Sequence, residues 1–255
     1  MRINLRVIGI GPGDPRQLTL QAVEAIAGVD VFLTLDKGDV TDGLAQVRRE
    51  ILAKHADGGH RLIAIADPPR DRQPSDYGAE VRRWHAARAA LIEAALHAEL
   101  HDGGVAAFLV WGDPALYDST LRIVDDLAAR PGLELDVDVI PGVTSASALT
   151  AAHAIVAHRV GEPLLITTGR RLAQTAPGAD LNQIVMLDAD LAFRHTAAAD
   201  DYIWWGAYLG MPEEILISGR VGEVGEKIAA ARAAARARMG WIMDIYLLRK
   251  ASCGS

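Results

Sequence analysis

Short apolar runs alternate with longer amphipathic segments over residues 1–140 of the chain. The most apolar run, residues 105–111, is continuous, which is typical of a parallel strand buried on both faces. Residues 77–100 precede it and predict one long helix. Because strands separated by helices pair in parallel, this alternation predicts an α/β fold with a mostly parallel wound sheet.

The pattern changes at residues 157–163, a stretch that we interpret as a domain boundary. Beyond it, predicted strands come more densely, and one good helix, residues 225–239, precedes the last of them. This favours an α+β domain with a mixed sheet. The expected organisation is an N-terminal α/β domain over residues 1–156 and a C-terminal α+β domain over residues 163–255.

Charge and cysteine content exclude several classes of protein. The net charge of -7 is opposite to that of a general nucleic-acid binder, so we expect no nucleic-acid partner. The single cysteine, Cys253, can build neither a disulfide framework nor a thiolate metal site, and we expect no metal. No apolar stretch approaches the roughly 18 residues that span a bilayer, and the start of the chain lacks a signal-peptide pattern. We therefore expect a cytoplasmic protein that does not bind membranes.

A glycine-rich loop, G-I-G-P-G-D-P at residues 9–15, follows the first predicted strand. Its first two glycines match a dinucleotide-binding motif, but Asp14 stands where that motif needs a third glycine. A carboxylate there would repel a pyrophosphate, and Pro12 and Pro15 remove two backbone donors. A nicotinamide dinucleotide site is therefore disfavoured, and a structural turn in which Asp14 caps a helix starting at Pro15 remains open.

Two further loops leave predicted strands in the same way. In W-G-D-P-A-L-Y, residues 111–117, Gly112 lets a ligand approach the backbone and Asp113 offers an acceptor, although Gly-Asp-Pro is also a common turn. In P-G-V-T-S, residues 141–145, Thr144 and Ser145 either cap the next helix or bind polar groups of a ligand. Because ligands bind outside the carboxyl ends of parallel strands, all three loops are candidates for one site.

Taken together and in this order, the three loops resemble those of the tetrapyrrole-methylase family, which includes methyltransferases of cobalamin and sirohaem synthesis. The resemblance is dense in the first domain and looser in the second. It implies that S-adenosylmethionine is the cofactor, with S-adenosylhomocysteine as its product form, bound in a cleft between two domains of a homodimeric protein. The implied cofactor contacts are Pro12, Gly112, Asp113, Leu116, Thr144, Ser145, Leu187, Asp188 and Gly219.

The segment D-P-P-R-D-R at residues 67–72, with the helix that follows it, resembles the branch of the family that acts on corrin precursors. The implied reaction methylates ring carbon C1 of precorrin-5 and removes its acetyl group as acetate. Such an acceptor carries many carboxylates, which arginine binds in a bidentate manner. The expected acceptor contacts are Arg70, Arg72, Tyr77, Trp84 and Arg88. The alternatives are methylation of another ring position, a protein or RNA target, and a non-catalytic tetrapyrrole carrier.

Methylation and deacetylation both call for a general base, and two residues are candidates. Asp36 ends the second predicted strand, close to where relatives carry an acidic residue, or else it is a turn residue. His85 titrates near neutral pH when unperturbed, or else it is a structural histidine. The second domain has a group of aromatic residues, Tyr202, Trp204, Trp205 and Tyr208. Three roles remain open for them: contact with the macrocycle, contact across a dimer interface, and packing in the core.

Overall fold

The computed structural model describes residues 2–36, 42–71, 74–174 and 182–251. The chain divides into two compact units, Met1–Val143 and Thr144–Ser255. Each unit contains one five-stranded sheet. Among the described residues, no helix is long and apolar enough to cross a membrane.

The first unit is built on a parallel sheet with the strand order β3-β2-β4-β1-β5. Its strands are β1 (Arg2–Gly9), β2 (Val31–Asp36), β3 (Arg61–Ala66), β4 (Gly104–Val110) and β5 (Glu134–Ile140). Because every pair is parallel, the carboxyl ends of all five strands meet at one edge of the sheet. The predicted parallel α/β sheet is therefore confirmed.

Four α-helices and one 3-10 helix connect these strands among the described residues. They are the 3-10 helix Pro15–Gln17, α1 (Leu20–Ile26), α2 (Asp42–His55), α3 (Tyr77–Glu99) and α4 (Thr120–Ala128). The Asp14 side chain accepts a hydrogen bond from the Arg16 backbone N–H, so the predicted cap ahead of Pro15 is confirmed. Thr19 caps α1 in the same way through the Ala22 N–H, at 3.0 Å.

The core of the first unit follows from the apolar pattern of its strands and of α3. Ile3, Leu5 and Val7 of β1 are fully buried, and they pack with residues of β4 and with Ile92 and Leu96 of α3. Each such side chain contributes about 1.5–3 kcal/mol through burial. Pairing between β2 and β4 covers only residues 31–33 and 106–108, so this ladder stops before the carboxyl edge.

The second unit contains a mixed sheet with the order β6-β7-β10-β8-β9. Its strands are β6 (Leu164–Thr168), β7 (Asn182–Met186), β8 (Tyr202–Ala207), β9 (Ile215–Arg220) and β10 (Asp244–Arg249). β6 and β7 pair in parallel, and the other pairs are antiparallel. The described helices are α5 (Ser145–Ala152), α6 (Gly169–Leu172), α7 (Phe193–Thr196) and α8 (Val221–Met239). This is the α+β architecture expected for the second half.

The division between the units falls earlier in the chain than residues 157–163. The second unit begins at Thr144 because α5 packs against β8 and β10. Leu149 of α5 is fully buried in one cluster with Ile184, Ile245 and Leu247. Helix α5, which the sequence pattern attached to the first domain, therefore belongs to the core of the second unit.

The aromatic residues of β8 and of the position that follows it divide between core and surface. Trp205 and Tyr208 are buried, so of the three roles considered for these aromatic residues, core packing applies to these two. The Trp204 ring lies 4.3 Å from that of Tyr202, and the Arg249 guanidinium lies 4.8 Å from the centre of the Trp204 ring.

A largely buried ion pair joins α8 to β10. Arg232 Nε donates to Asp244 Oδ2 at 2.9 Å, and Trp205 Nε1 donates to the same oxygen at 3.1 Å. Burial raises the pKa of Asp244, while Arg232 opposes that shift. Arg232 therefore compensates a carboxylate that would otherwise be buried without a cation.

We predict that Arg232→Met lowers the free energy of unfolding by about 3–5 kcal/mol near neutral pH, because Asp244 loses its cation. The pKa of Asp244 rises further in the variant. A raised folded-state pKa contributes stability below the unfolded-state pKa, and this is lost as pH rises, so the deficit is smaller near about pH 5 than near about pH 8. Urea unfolding at both pH values measures this difference. The control Arg194→Met removes an exposed partner of Glu226 and should change stability by about 0–1 kcal/mol; equal losses in the two variants contradict the prediction.

Candidate active site

Three glycines from three neighbouring strand ends meet at the carboxyl edge of the first sheet. We call Gly9, Gly112 and Gly142 the glycine junction. A Cβ on Gly142 would lie 2.1 Å from the Gly112 carbonyl oxygen, and a Cβ on Gly9 would lie 2.6 Å from the Gly142 nitrogen. Real Cβ atoms essentially never come that close to backbone. The ends of β1 and β5 therefore approach the loop after β4 this closely only because Gly9 and Gly142 have no side chain.

Gly11 extends the junction by pairing with Gly112 as an isolated antiparallel bridge. The Gly112 N–H donates to the Gly11 carbonyl at 2.8 Å, and the Gly11 N–H donates to the Gly112 carbonyl at 3.2 Å. Both residues have φ in the left-handed region, +77° and +70° respectively, which favours glycine. A Cβ on Gly112 would meet no atom within 4 Å, so the space beside this backbone is open.

Asp113 ties the loop after β4 to the loop after β5. Its Oδ1 accepts from the Ala115 N–H at 2.8 Å, and its Oδ2 accepts from the Gly142 N–H at 2.9 Å. The carboxylate therefore positions the backbone of the junction. An ionised carboxylate has about four acceptor positions, so these two bonds leave capacity for a ligand.

The other predicted cofactor contacts of the first unit lie beside the junction in sequence. Pro12 is buried next to Gly11, and Leu116 is partly buried in the turn that follows Asp113. The Leu116 N–H donates to the Asp113 carbonyl at 3.2 Å, which closes that turn.

Thr144 and Ser145 begin the second unit at the start of α5. Thr144 caps the helix, because its Oγ1 accepts from the Ser147 N–H at 3.1 Å. Ser145 is the first helical residue. Capping by Thr144 is therefore present, and ligand binding by either hydroxyl stays a prediction.

Leu187 directly follows β7 in a strained and exposed conformation. It has a φ of +53° and is 67% exposed, both unusual for a leucine. Strain of this kind occurs at functional sites, which favours the predicted cofactor contact.

Asp188, the next residue, is buried and hydrogen-bonded within its own unit. Its Oδ2 accepts from the Ala192 N–H and from the Tyr246 hydroxyl, both at 2.7 Å. Burial and the neighbouring carboxylate raise the pKa of Tyr246. Gly169 packs so closely that a Cβ there would lie 2.2 Å from Asp188 Oδ1. Asp188 thus holds the turn after Leu187, and a direct cofactor contact stays a prediction.

Gly219 also packs tightly, since a Cβ there would lie 2.7 Å from a methyl group of Val224.

Side chains of α3 hold the loop that leaves β3. Arg88 donates two hydrogen bonds to Asp67, from Nε to Oδ1 at 2.7 Å and from Nη2 to Oδ2 at 2.5 Å. Trp84 Nε1 donates to the Pro68 carbonyl at 3.0 Å. We call this arrangement of Asp67, Trp84 and Arg88 the loop clamp.

Two more residues of α3 secure the far side of the same loop. Arg83 donates to the Pro69 carbonyl at 3.2 Å and forms an ion pair with Glu80. Glu80 Oε1 accepts from the Asp71 N–H at 2.9 Å. The hydrogen bonds from Arg83 lower the pKa of Glu80 to about 2, so it is ionised at neutral pH.

The guanidinium groups of two arginines lie against the Trp84 ring. Arg88 lies 3.4 Å from the ring centre and Arg70 lies 5.0 Å from it. Arg88 is 3% exposed, so its contacts with Asp67 and Trp84 account for its position, and a contact with acceptor stays a prediction. Arg72 lies outside the described residues, and of Tyr77 only the backbone is described, where α3 begins.

The two predicted bases differ in accessibility. His85 is 8% exposed and lies against Trp84, and burial together with Arg88 lowers its pKa. It is therefore neutral at pH 7. Asp36 is exposed at the end of β2, and its carbonyl accepts from the Asp67 N–H at 2.9 Å, next to the loop clamp.

Sequence reasoning missed several residues of this edge. Asp67 and Glu80 hold the loop of residues 67–71, which we call the arginine loop. Asp67 binds Arg88 and Glu80 binds the Asp71 N–H, and no local pattern relates the two members of either pair. Arg48 of α2, whose Nε donates to the Leu109 carbonyl at 3.2 Å, was also missed. Among the described residues, no group of His, Cys, Asp and Glu is arranged to hold a metal ion.

Comparison with known proteins identifies the class. The chain belongs to the tetrapyrrole (corrin/porphyrin) methylases, because the model of that family matches residues 4–225. It is 49% identical over 245 residues to precorrin-6A synthase (deacetylating) of a Sinorhizobium species, which covers 96% of this chain and 94% of that relative. A crystal structure of a Corynebacterium diphtheriae protein described as related to cobalamin synthesis is similar with a TM-score of 0.85 at 42% identity, over 98% of this chain and 99% of that one.

A more distant structure shows the fold alone. Uroporphyrin-III C-methyltransferase from Thermus thermophilus, solved in complex with S-adenosyl homocysteine, has a TM-score of 0.58 at 19% identity, over 96% of this chain and 92% of that one. The family expected from the three loops is therefore confirmed.

We predict that Gly142→Ala lowers the free energy of unfolding by about 1–3 kcal/mol or more, because its methyl group cannot coexist with the Gly112 carbonyl. Chemical denaturation measures the loss. Gly58→Ala is the matched control, since a Cβ there meets nothing within 4 Å, and it should stay within about 0.5 kcal/mol of the wild type. Equal stability of the two variants would show that the junction tolerates a side chain.

Proposed function

We propose that this chain is an S-adenosylmethionine-dependent C-methyltransferase that methylates C1 of precorrin-5 with loss of the acetyl group as acetate, giving precorrin-6A. One observation carries the proposal: the 49% identity to a precorrin-6A synthase (deacetylating) extends over 96% of this chain and 94% of that protein. Identity at that level over nearly the whole of both chains includes the segments that distinguish branches of the family.

The glycine junction supports the cofactor assignment. Its backbone is held by Asp113, and a Cβ on Gly112 would meet nothing within 4 Å, so a ligand can approach the main chain there. Pro12, Gly112, Asp113 and Leu116 would hold the cofactor from the first unit. The proposed contacts from the second unit are Thr144, Ser145, Leu187, Asp188 and Gly219. When bound, S-adenosylmethionine supplies a methyl group on a sulfonium centre.

The arginine loop supports an acceptor that carries many carboxylates. The protein has a net charge of -7, so such an acceptor requires a local cation. Arg70 lies in a loop that α3 secures at Asp67, Pro68, Pro69 and Asp71, and the Trp84 ring lies beneath its guanidinium. A fixed guanidinium loses little conformational entropy when it binds a carboxylate.

Deacetylation requires a base that activates water. Hydroxide adds to the acetyl carbonyl, the bond between that carbon and C1 breaks, and the electron pair remains on the ring to take up the methyl group. The acetyl group leaves as acetate, and the base removes the proton of the water. Asp36 is the better placed of the two proposed bases because it is exposed and water can reach it. His85 is buried, so it would act only indirectly, by positioning neighbouring residues.

The family resemblance further suggests a homodimer in the cytoplasm. Sedimentation of the purified protein tests the dimer, and a single species at the mass of one chain contradicts it.

We predict that the wild-type protein binds S-adenosylhomocysteine saturably in calorimetric titration and does not bind NAD. Asp113→Asn should weaken this binding about 10-fold or more, because the amide keeps one acceptor oxygen for two backbone N–H donors. Asp138→Asn, on the exposed face of β5, is the control and should bind normally. If Asp113→Asn folds and binds as tightly as the wild type, Asp113 does not organise the cofactor site.

We predict that Arg70→Ala raises the KM for precorrin-5 about 10-fold or more and leaves the affinity for S-adenosylhomocysteine unchanged, because the variant loses a charge-assisted bond. Release of acetate and appearance of precorrin-6A measure the reaction. The exposed Arg82→Ala, one turn into α3, is the matched control for net charge. Equal effects of the two substitutions would assign the loss to long-range charge alone. A protein that binds both ligands without turnover would instead be a tetrapyrrole carrier.

A further inference from the structure

Arg48 is a partly buried cation on α2 at the carboxyl side of the first sheet. Its Nε donates to the carbonyl of Leu109, the second-last residue of β4, at 3.2 Å. Burial lowers the pKa of its guanidinium, and the nearby charge of Asp118 partly opposes that shift. The side chain thus places a desolvated positive charge next to the end of β4.

The Leu109 carbonyl marks an opening in the sheet. The next carbonyl, that of Val110, accepts from the Ile10 N–H on the β1 side. Because carbonyls alternate in direction along a strand, the Leu109 carbonyl points toward β2. The ladder between β2 and β4 has already ended at the pair Leu33 and Phe108. Arg48 therefore lies where two strands separate at the edge where ligands bind in such sheets.

Two other arginines with largely buried side chains are matched to carboxylates. Arg88 has two bonds to Asp67, and Arg232 has a bond to Asp244. Within the described ranges, the bond to Leu109 is the single hydrogen bond that the Arg48 guanidinium donates. The charge of Asp118 offsets only part of the cost of desolvating this guanidinium, and such incompletely balanced charges concentrate at functional sites.

We propose that Arg48 binds a carboxylate of a ligand at the carboxyl edge of the first sheet. Leu109 is followed within three residues by Gly112, so this carboxylate site adjoins the glycine junction. The inference rests on the proposed function, which offers two sources of the same chemistry: the amino-acid carboxylate of the cofactor, and the carboxylate side chains of the tetrapyrrole. The planar guanidinium suits a bidentate bond to either.

Arg48→Met tests the proposal in the full-length protein, with Arg49→Met as the matched control. Arg49 is the exposed neighbour, and it hydrogen-bonds Gln46 on its own helix. Three quantities are measured for each variant: the affinity for S-adenosylhomocysteine, the affinity for precorrin-5, and the melting temperature without ligand. We expect Arg48→Met to lose about 10-fold or more in one affinity while its melting temperature is unchanged or higher, because Asp118 offsets only part of the desolvation cost when no ligand is bound. Arg48→Lys should show a smaller loss, since it keeps the charge without the planar fork.

The ligand whose affinity falls identifies the source of the carboxylate. A loss confined to S-adenosylhomocysteine assigns Arg48 to the cofactor, and a loss confined to precorrin-5 assigns it to the acceptor. A lower melting temperature with both affinities intact overturns the proposal and leaves Arg48 as a cap for the Leu109 carbonyl. If the wild type binds neither ligand, the proposed function fails and this inference falls with it. If the wild type and Arg48→Met bind both ligands equally well, this inference alone fails.

Discussion

The contact among Gly9, Gly112 and Gly142 is the constraint on which the rest of the candidate site depends. Neighbouring strands of a sheet lie about 4.7–4.9 Å apart, with the side chains directed to its two faces. Here three backbones converge, with less than 3 Å available where a Cβ would be on Gly9 or Gly142. Asp113 then fixes their relative positions by accepting from the N–H of Gly142. The loops after β1, β4 and β5 are therefore one connected unit.

The two halves of the carboxyl edge use different chemistry. Around β4, β1 and β5 the close contacts are made by main-chain atoms, with the backbone of Gly142 against that of Gly9 and Gly112. Around β3 and β2 they are made by side chains of α3, with Arg88 and Trp84 supporting Arg70 through the loop clamp. Arg48 lies where these halves meet, beside the end of β4.

Most of the fold could be predicted from the sequence because its signals are local. The alternating apolar runs indicated the strands, and the caps at Asp14 and Thr19 follow from residues within a few positions of each other. The order of three loops likewise indicated the family. What escaped prediction is non-local: Asp113 binds the N–H of Gly142, and Arg88 binds Asp67, without any pattern that relates the two positions. The same holds for α5, whose apolar residues do not specify which sheet they pack against.

The strand order of the first unit also has a consequence for how the chain is made. β1 is synthesised first, yet it pairs with β4 and β5, so that Ile3 meets Gly104 and Arg2 meets Glu134. Its apolar residues must remain without their sheet partners until the polypeptide has grown past both of those strands. Pairings between residues so far apart in sequence form slowly. Until they form, the unpaired strand edges can aggregate. The first sheet can therefore be completed only after β5, its last strand in sequence, has been synthesised.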